Sequence, residues 1–283
     1  MTNKHLGIKI AFFGTPNFAV EILEELKKGE ILTDLIITNE DKPQGRKLIV
    51  TPPPVKIWGE ENDIEVFQPK KLDSESLKKL KDYDLFIVAA YGSILPKEIL
   101  DIPKHGTLNV HPSLLPKFRG SSPVESAIME GDKETGVSIM LLDELMDHGP
   151  IVDAQVIELN GEEKGSELET KLAKLGGQIL AEIIPSWIAG EIDPQEQEHN
   201  QATYTQKIKK SDGLIDLDDD PELNYRKIRA FDGWPGTFFF VKKDDKEIRV
   251  IIKEATLRNG ELKILRVIPE GKKEVDYEVL LKN

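Results

Sequence analysis

The sequence predicts an α/β fold, a mostly parallel sheet with flanking helices, followed by a small β-barrel domain. Apolar runs typical of buried strands alternate with amphipathic helical segments over roughly the first two-thirds of the chain. Short strands joined by turns then follow one another toward the C-terminus. A polar stretch without apolar periodicity lies between the two parts. We therefore predict a first domain over 1–189, a linker over 190–202 and a second domain over 203–283.

Composition restricts the class of protein. The 283 residues are 39% hydrophobic and 31% charged, as in a soluble globular protein, and no long apolar run predicts a membrane span. Cysteine is absent, which excludes disulfides, cysteine metal sites and a cysteine nucleophile. A strand follows the first few residues almost directly, leaving no room for a secretory signal, so we expect a cytoplasmic protein. The net charge of −13 requires any nucleic acid to dock on a local basic patch.

The first elements form a strand–helix unit. Ile8–Gly14 is predicted as a buried strand, Thr15-Pro16 as a helix cap with proline in the first turn, and Asn17–Lys28 as an amphipathic helix. A dinucleotide-binding turn would need glycines at three positions, and Gly14 stands alone. A nicotinamide-dependent enzyme is therefore disfavoured.

A second strand, residues 32–38, precedes a basic loop. The loop, Asp41–Lys47, has no apolar period, and Thr51–Lys56 then opens a short helix. The loop fits a solvated surface segment as well as a loop that contacts RNA through lysine and arginine. Strands are predicted at Ile64–Phe67 and, as a continuous apolar run suited to the sheet centre, at Leu85–Ala90.

Two polar side chains stand on the next strand. Leu108 and Val110 alternate with Asn109 and His111, and Pro112 should end the strand because it cannot donate to a ladder. Asn109 and His111 therefore share one face at the carboxyl end, where open α/β sheets bind ligands. A solvated strand face explains the spacing about equally well, since about half of a strand's residues can face water.

The remaining segments complete both domains. In the first we predict a helix from Pro123 to Met129, a strand hairpin and a long closing helix, with hairpin strands at 136–142 and 151–159 and the helix at 165–189. In the second we predict a short helix at 224–231 and strands at 237–241, 247–255, 261–267 and 275–281.

Particular motifs give this pattern a family. The stretch Asn109–Pro116 with Arg119-Gly120, and the loop Leu145–Ile151, resemble the signatures of the folate-dependent formyltransferases. The resemblance extends to the opening turn Gly14–Ala19 and to three C-terminal motifs, which are Arg229–Phe231, Trp234–Gly236 and Ile268–Lys273. It therefore covers nearly the whole chain. Within the family the chain is most similar to the members that formylate initiator methionyl-tRNA. The resemblance implies a Rossmann-like first domain and an OB-like second one.

The resemblance also implies catalytic residues. The family's triad falls on Asn109, His111 and Asp147. Formyl transfer from 10-formyltetrahydrofolate to an amine is acyl transfer, so it needs donors for an oxyanion and a route for protons. Asn109 and a protonated His111 can donate, and Asp147 can orient the imidazole. Without the resemblance, Asp147 would fit an exposed turn carboxylate better. No metal is expected.

Binding residues follow in the same way. The resemblance implies that the formyl donor contacts a strand-to-helix turn and the segment after the catalytic strand, at Tyr91, Gly92, Ile94, Leu95, Ser113, Leu114, Leu115 and Pro116. Apolar side chains in this turn would equally suit the core. It implies tRNA contacts at Lys42, Arg46, Lys47, Lys207, Lys209, Arg229, Lys272 and Lys273, which could otherwise be ordinary solubilising charge. A cradle between the two domains would hold the acceptor arm.

The expected activity is formylation of methionine on initiator methionyl-tRNA, for translation initiation, by a monomer. Three alternatives stay open. An N-formyltransferase acting on an amino sugar would suit the acidic charge, and a phosphoribosylglycinamide formyltransferase would normally end after the first domain. A catalytically idle tRNA- or folate-binding protein would not require the intact triad.

Overall fold

The computed structural model describes residues 6–45, 47–243 and 246–282. The chain divides into two compact units that interleave along the sequence. The first unit comprises Met1–Arg119, Gly136–Val156 and Glu169–Thr203, and the second comprises Gly120–Thr135, Ile157–Leu168 and Tyr204–Asn283. Over the described ranges, no helix is both long and apolar enough to cross a membrane.

Strands and helices alternate up to residue 189, as the periodicity predicts. In chain order the elements are β1 (Ile10–Gly14), α1 (Asn17–Lys28), β2 (Leu35–Ile37), β3 (Lys42–Gln44), β4 (Ile49–Thr51), α2 (Pro54–Glu61), β5 (Glu65–Phe67), α3 (Ser74–Leu80), β6 (Leu85–Ala89), α4 (Lys97–Leu100), β7 (Thr107–His111), α5 (Pro123–Glu130), β8 (Glu134–Leu141), β9 (Ile151–Glu158) and α6 (Gly165–Ala189).

Seven of these strands form one sheet in the order β5-β2-β1-β6-β7-β8-β9. The five strands from β5 to β7 pair in parallel, and β8 pairs antiparallel with β7. Strand order reverses between β1 and β6, and a ligand crevice lies at the carboxyl ends of the strands at such a point. This architecture confirms the predicted Rossmann-like, mostly parallel sheet.

Buried apolar side chains of β1, β2 and β6 build a core of the first unit. Phe13 on β1 packs at 5.2 Å between ring centres against Phe86 on β6, and both side chains are fully buried. Helix α6 lies very close to the sheet at Gly176, where an added Cβ would stand 2.4 Å from Val110 Cγ1. The strand that carries the predicted catalytic side chains is therefore held in a tightly packed interior.

The second unit contains an antiparallel sheet, in the order β10-β11-β12-β13. Beyond residue 213 its elements are α7 (Pro221–Ala230), β10 (Phe238–Lys243), β11 (Lys246–Arg258), β12 (Glu261–Pro269), β13 (Val275–Asp276) and α8 (Tyr277–Lys282). Buried side chains from α7 and the strands form its core, around Ile228, Val250 and Val267. The predicted short helix and the predicted strands at 237–241, 247–255 and 261–267 are confirmed, and the strands form an antiparallel sheet.

The last predicted strand, 275–281, is wrong beyond its first two residues. The chain turns into helix α8 after Asp276. Tyr277 and Leu280 pack against the core of this unit, whereas Val279 and Leu281 are exposed. A spacing of three between the packed positions suits a helix, and tertiary packing therefore overrides the β propensity of this segment.

The predicted basic loop contains structure of its own. Strands β3 and β4 form a two-stranded antiparallel hairpin, with Pro43 opposite Val50. Leu48, Ile49 and Val50 are 70%, 62% and 63% exposed. The hairpin thus presents apolar side chains to solvent next to its lysines, and such a surface is typical of contact with a partner.

Candidate active site

Strand β7 brings Asn109 and His111 to one face of the sheet, as the alternation predicts. The strand lies between β6 and β8, and Asn109 is opposite Val88 on one side and Met140 on the other. Both polar side chains are buried, with 8% of Asn109 and 4% of His111 exposed. A solvated strand face is therefore excluded, because a buried amide and imidazole need polar partners.

Both ring nitrogens of His111 face an oxygen atom of another segment. Its Nε2 lies 2.9 Å from the carbonyl oxygen of Phe118, and its Nδ1 lies 3.8 Å from Oδ1 of Asp147. A carbonyl only accepts, so Nε2 is the nitrogen that donates in this contact. In the neutral ring Nδ1 is then the nitrogen without a hydrogen, and it faces the carboxylate. Asp147 faces the ring at this longer distance, while the Phe118 carbonyl holds the orientation of the ring by a hydrogen bond.

Asp147 lies in the turn between β8 and β9, and its side chain is only 14% exposed. Its backbone is left-handed, with φ of 49°. Few residues other than glycine adopt this conformation, and aspartate is one of those that do so more often. Here Gln197 Nε2 donates to the carbonyl oxygens of Asp147, at 3.0 Å, and of Gly149, at 2.7 Å.

The segment after β7 is also fixed by side chains from elsewhere. The Ser138 hydroxyl on β8 donates to the Ser113 carbonyl at 2.8 Å and accepts from the Leu115 backbone at 3.1 Å. The Thr203 hydroxyl accepts from the Phe118 backbone at 2.8 Å. The carbonyl that contacts His111 is therefore part of a rigid loop.

The turn after β6 contains the first half of the predicted donor-binding residues. Asn39, which follows β2 by two positions, donates to the Tyr91 carbonyl at 2.8 Å. Thr15, directly after β1, donates to the same carbonyl at 3.2 Å. The predicted threonine cap of α1 is therefore wrong: the capping position is Pro16, and the Thr15 hydroxyl crosses to this turn instead.

Burial separates the eight predicted donor-binding residues. Tyr91, Leu95, Ser113 and Leu115 are buried, Leu114 and Pro116 are half-buried, and Gly92 and Ile94 are exposed. Tyr91 and Leu95 belong to the core of the first unit. Burial raises the pKa of the Tyr91 hydroxyl, which stays protonated at neutral pH. Ile94 is 89% exposed, an unusual position for a large apolar side chain.

The predicted tRNA-binding cations also differ in exposure. Six are exposed lysines: Lys42, Lys47, Lys207, Lys209, Lys272 and Lys273. Arg46 lies outside the described residues. Arg229 is only 8% exposed and donates to the carbonyl of Glu163 at 3.0 Å, with its guanidinium 5.0 Å from the ring centre of Tyr225. Arg229 is thus engaged inside the second unit.

A cavity of about 260 Å³ lies in the second unit, lined in part by Tyr225, Arg226 and Arg229. The Tyr225 hydroxyl donates to the carboxylate of Glu162 at 2.6 Å. Burial, and secondarily this bond, raises the pKa of Tyr225 to about 12. None of the predicted catalytic residues lines this cavity.

Three residues that organise the site were not predicted to do so. Thr15 and Asn39 follow strand ends, so the rule that ligands bind at carboxyl ends could have found them. Gln197 lies in the segment predicted as a linker, where no periodicity marks it as buried. Only its contacts with a turn 48 positions away reveal it.

Fold and site together define a class of protein, an α/β protein with an amide, an imidazole and a carboxylate at the carboxyl edge of a Rossmann-like sheet. Comparison with known proteins gives the family. The chain matches the formyl transferase model over residues 8–184 and the formyl transferase C-terminal domain model over 207–263. This protein belongs to the formyl transferase family, and the resemblance seen in the motifs is confirmed.

Individual relatives agree. A methionyl-tRNA formyltransferase of Herpetosiphon aurantiacus is 38% identical over 94% of both chains. The methionyl-tRNA formyltransferase structure from Clostridium thermocellum has a TM-score of 0.60 at 21% identity, covering 95% of this chain and 99% of that one. The N-formyltransferase of Helicobacter canadensis, solved with folinic acid and dTDP-3-aminofucose, has a TM-score of 0.66 at 20% identity, covering 89% and 88%. The structural likenesses support the fold.

Proposed function

We propose that this enzyme transfers a formyl group from 10-formyltetrahydrofolate to the amino group of methionine on initiator methionyl-tRNA. The observation that carries the proposal is the contact of His111 with Asp147. The two positions come from separate motifs, yet the atoms Nδ1 and Oδ1 lie 3.8 Å apart at the carboxyl edge of the sheet. The relative that is 38% identical over 94% of both chains is named for this activity.

The proposed reaction is direct acyl transfer. The neutral amine attacks the formyl carbon, the carbonyl oxygen becomes an oxyanion, and the C–N bond to the folate breaks as its nitrogen takes up a proton. The Asn109 amide donates to the oxyanion, and its burial in a packed strand preorganises it for this role. The amine loses a proton during the reaction. We assign the transfer of this proton to His111 Nδ1, which faces the Asp147 carboxylate.

We assign donor binding to the edge formed by the turn at Tyr91–Leu95 and the segment at Ser113–Pro116. A flat heterocycle needs apolar walls and backbone polar groups. Gly92 and exposed Ile94 offer both, and Asn39 and Thr15 hold the turn by hydrogen bonds to the Tyr91 carbonyl. Tyr91, Leu95, Ser113 and Leu115 contribute through their backbones and by packing, because their side chains are buried. A folate-type donor fits these residues.

Ile94→Ser should weaken binding of 5-formyltetrahydrofolate about tenfold without lowering thermal stability. An isoleucine that is 89% exposed contributes little to folding, but covering it with a ligand removes apolar area from water. Calorimetric titration measures the dissociation constant. Val156→Ser on edge strand β9, at a residue 57% exposed, is the matched control and should leave it unchanged. Equal affinity of Ile94→Ser and the wild type would place the donor elsewhere.

We assign tRNA binding to the exposed lysines. Those on the β3–β4 hairpin and its turn are Lys42 and Lys47, and those in the second unit are Lys207, Lys209, Lys272 and Lys273. Phosphate contacts by such side chains position a nucleic acid and make its binding depend on salt. The predicted role of Arg46 stays a prediction, and Arg229 would act by supporting its unit. We assign catalysis to a domain of residues 1–189 and tRNA binding to a domain of residues 203–283.

Replacing both Lys272 and Lys273 by alanine should weaken tRNA affinity. It should also reduce the slope of log affinity against log salt concentration by about one per lysine. The rate at saturating tRNA should not change, since neither lysine lies in the catalytic triad. Filter binding at several salt concentrations measures both quantities. Lys81→Ala, at an exposed lysine of the first unit, is the control. An unchanged slope in the double variant would remove these two residues from the interface.

Direct assay decides the acceptor. The enzyme and 10-formyltetrahydrofolate are incubated in parallel with charged initiator methionyl-tRNA and with a dTDP-amino sugar, and formylated product is measured. Transfer to the tRNA alone supports the proposal. Transfer to the sugar alone would overturn it in favour of a sugar N-formyltransferase, and no transfer to either would favour a binding protein without activity.

A further inference from the structure

Gln197 is buried, although its immediate neighbours in the chain are exposed. It is 5% exposed, whereas Glu196 and Glu198 on either side are exposed. Its Nε2 donates to the carbonyl oxygens of both Asp147 and Gly149. A side-chain amide has two N–H donors, so both are used on the turn that carries the catalytic carboxylate.

Arg119 fixes the orientation of that amide. It is 1% exposed, and its Nε and Nη2 donate to Gln197 Oε1 at 3.2 and 2.6 Å. Nη2 also lies 2.9 Å from Nδ1 of His199, which must accept because a guanidinium only donates. With Oε1 held by the guanidinium, the amide nitrogen of Gln197 can only face the Asp147 turn. The network is satisfied at each of these atoms, which favours one arrangement.

The turn needs such support. Asp147 holds a left-handed backbone conformation, and the two residues before it, Leu145 and Met146, are 59% and 57% exposed and contribute little packing. Within the turn the Leu145 backbone donates to the Asp143 carboxylate at 2.8 Å, so hydrogen bonds rather than packing hold the backbone that carries Asp147. The bonds from Gln197 hold the turn at the Asp147 carbonyl and, two residues later, at the Gly149 carbonyl.

We propose that Arg119 and Gln197 are positioning residues, which lock the Asp147 turn and so set the carboxylate against His111. The pair touches neither substrate nor reacting atoms, and it acts through Asp147. The inference deepens the proposed function and rests on it for the role of Asp147. A displacement of a catalytic group by about 1 Å can cost about 10²-fold in rate, so loss of the pair should be visible in kcat.

Gln197→Glu and Gln197→Ala test the proposal. The glutamate keeps the size and the acceptor for Arg119 but turns a carboxylate oxygen toward the two carbonyls. We expect kcat to fall about 10²-fold in both variants, with the KM for each substrate changed little. Amide NMR signals of residues 143–149 should shift, and the melting temperature of the glutamate variant should stay near that of the wild type. Gln195→Ala, at an exposed glutamine of the same segment, is the matched control and should behave as the wild type.

A double-mutant cycle separates positioning from a general structural role. Combined with Asp147→Asn, Gln197→Ala should add almost no further loss, because the group that it positions is already removed. Additive losses, or wild-type kcat in both single variants, would overturn the proposal. Formyl transfer by the wild type is measured first, since its absence counts against the proposed function. Even if the wild type does not transfer a formyl group, unchanged amide NMR signals of residues 143–149 in both Gln197 variants would refute the locking of the turn.

Discussion

Asn109→Ala and His111→Ala should each lower kcat by about 10²–10³-fold while leaving folate affinity within a few-fold of the wild type. Both side chains are buried on β7, and neither lies among the residues assigned to donor binding. Each would act on charge or protons that develop only in the transition state, so its loss should appear in kcat rather than in binding. Single-turnover transfer to methionyl-tRNA measures the rate, and fluorescence or calorimetric titration measures the affinity.

Strand β7 itself offers a control for these variants. Thr107 has the same orientation two residues before Asn109 and is 2% exposed, and its buried hydroxyl has no hydrogen-bond partner among the described residues. Thr107→Val removes that hydroxyl at nearly constant volume and should leave kcat unchanged with stability equal or higher. If the rate of Asn109→Ala or His111→Ala matched that of the valine variant, the residue would have no part in the mechanism.

Gly149→Ala should combine a large loss of activity with a loss of stability. A Cβ at this position would stand 2.1 Å from the carbonyl oxygen of Leu141, at the end of β8, and backbone cannot move aside as a side chain can. The Asp147 turn must therefore shift, and it takes with it the carbonyl that Gln197 binds. We expect kcat to fall about 10²-fold and the free energy of unfolding to fall by about 1–3 kcal/mol.

Two measurements on Gly149→Ala test this prediction: kcat, and the free energy of unfolding in denaturant. Gly233→Ala is the comparison, because among the described residues an added Cβ there would meet only Ser166 Cβ, at an ordinary 3.8 Å. That variant should keep the activity and lose little stability. A Gly149→Ala enzyme with wild-type kcat would show that the turn tolerates displacement, which would also weaken the positioning role of Gln197.

Local periodicity and motif chemistry made much of the fold predictable. The alternation at Leu108–His111 placed Asn109 and His111 on one face, and the single glycine of the first turn argued against a dinucleotide site. The long helix was predicted with the bounds that α6 has, 165–189. These features depend on neighbours within a few positions, and sequence records such neighbours directly.

Elsewhere the local pattern was insufficient. The segment 277–281 reads as strand, yet it folds as helix because Tyr277 and Leu280 reach the core of the second unit. Thr15 reads as a helix cap, yet its hydroxyl donates to the Tyr91 carbonyl. The loop at 41–47 reads as irregular, yet part of it forms a hairpin with β4. In each case a contact outside the local window stabilises a conformation that the window does not favour.

The sequence by itself determined the α/β class, the strand that carries Asn109 and His111, and the motif that contains Asp147. Only the tertiary structure decided that His111 Nδ1 faces Asp147 while its Nε2 contacts the Phe118 carbonyl, and that Arg119 and Gln197, 78 positions apart, meet to hold the Asp147 turn. The reason is physical: a strand or a helix follows from the spacing of apolar side chains along a few residues. The partner of a buried polar group follows from the packing of segments that are distant in the chain.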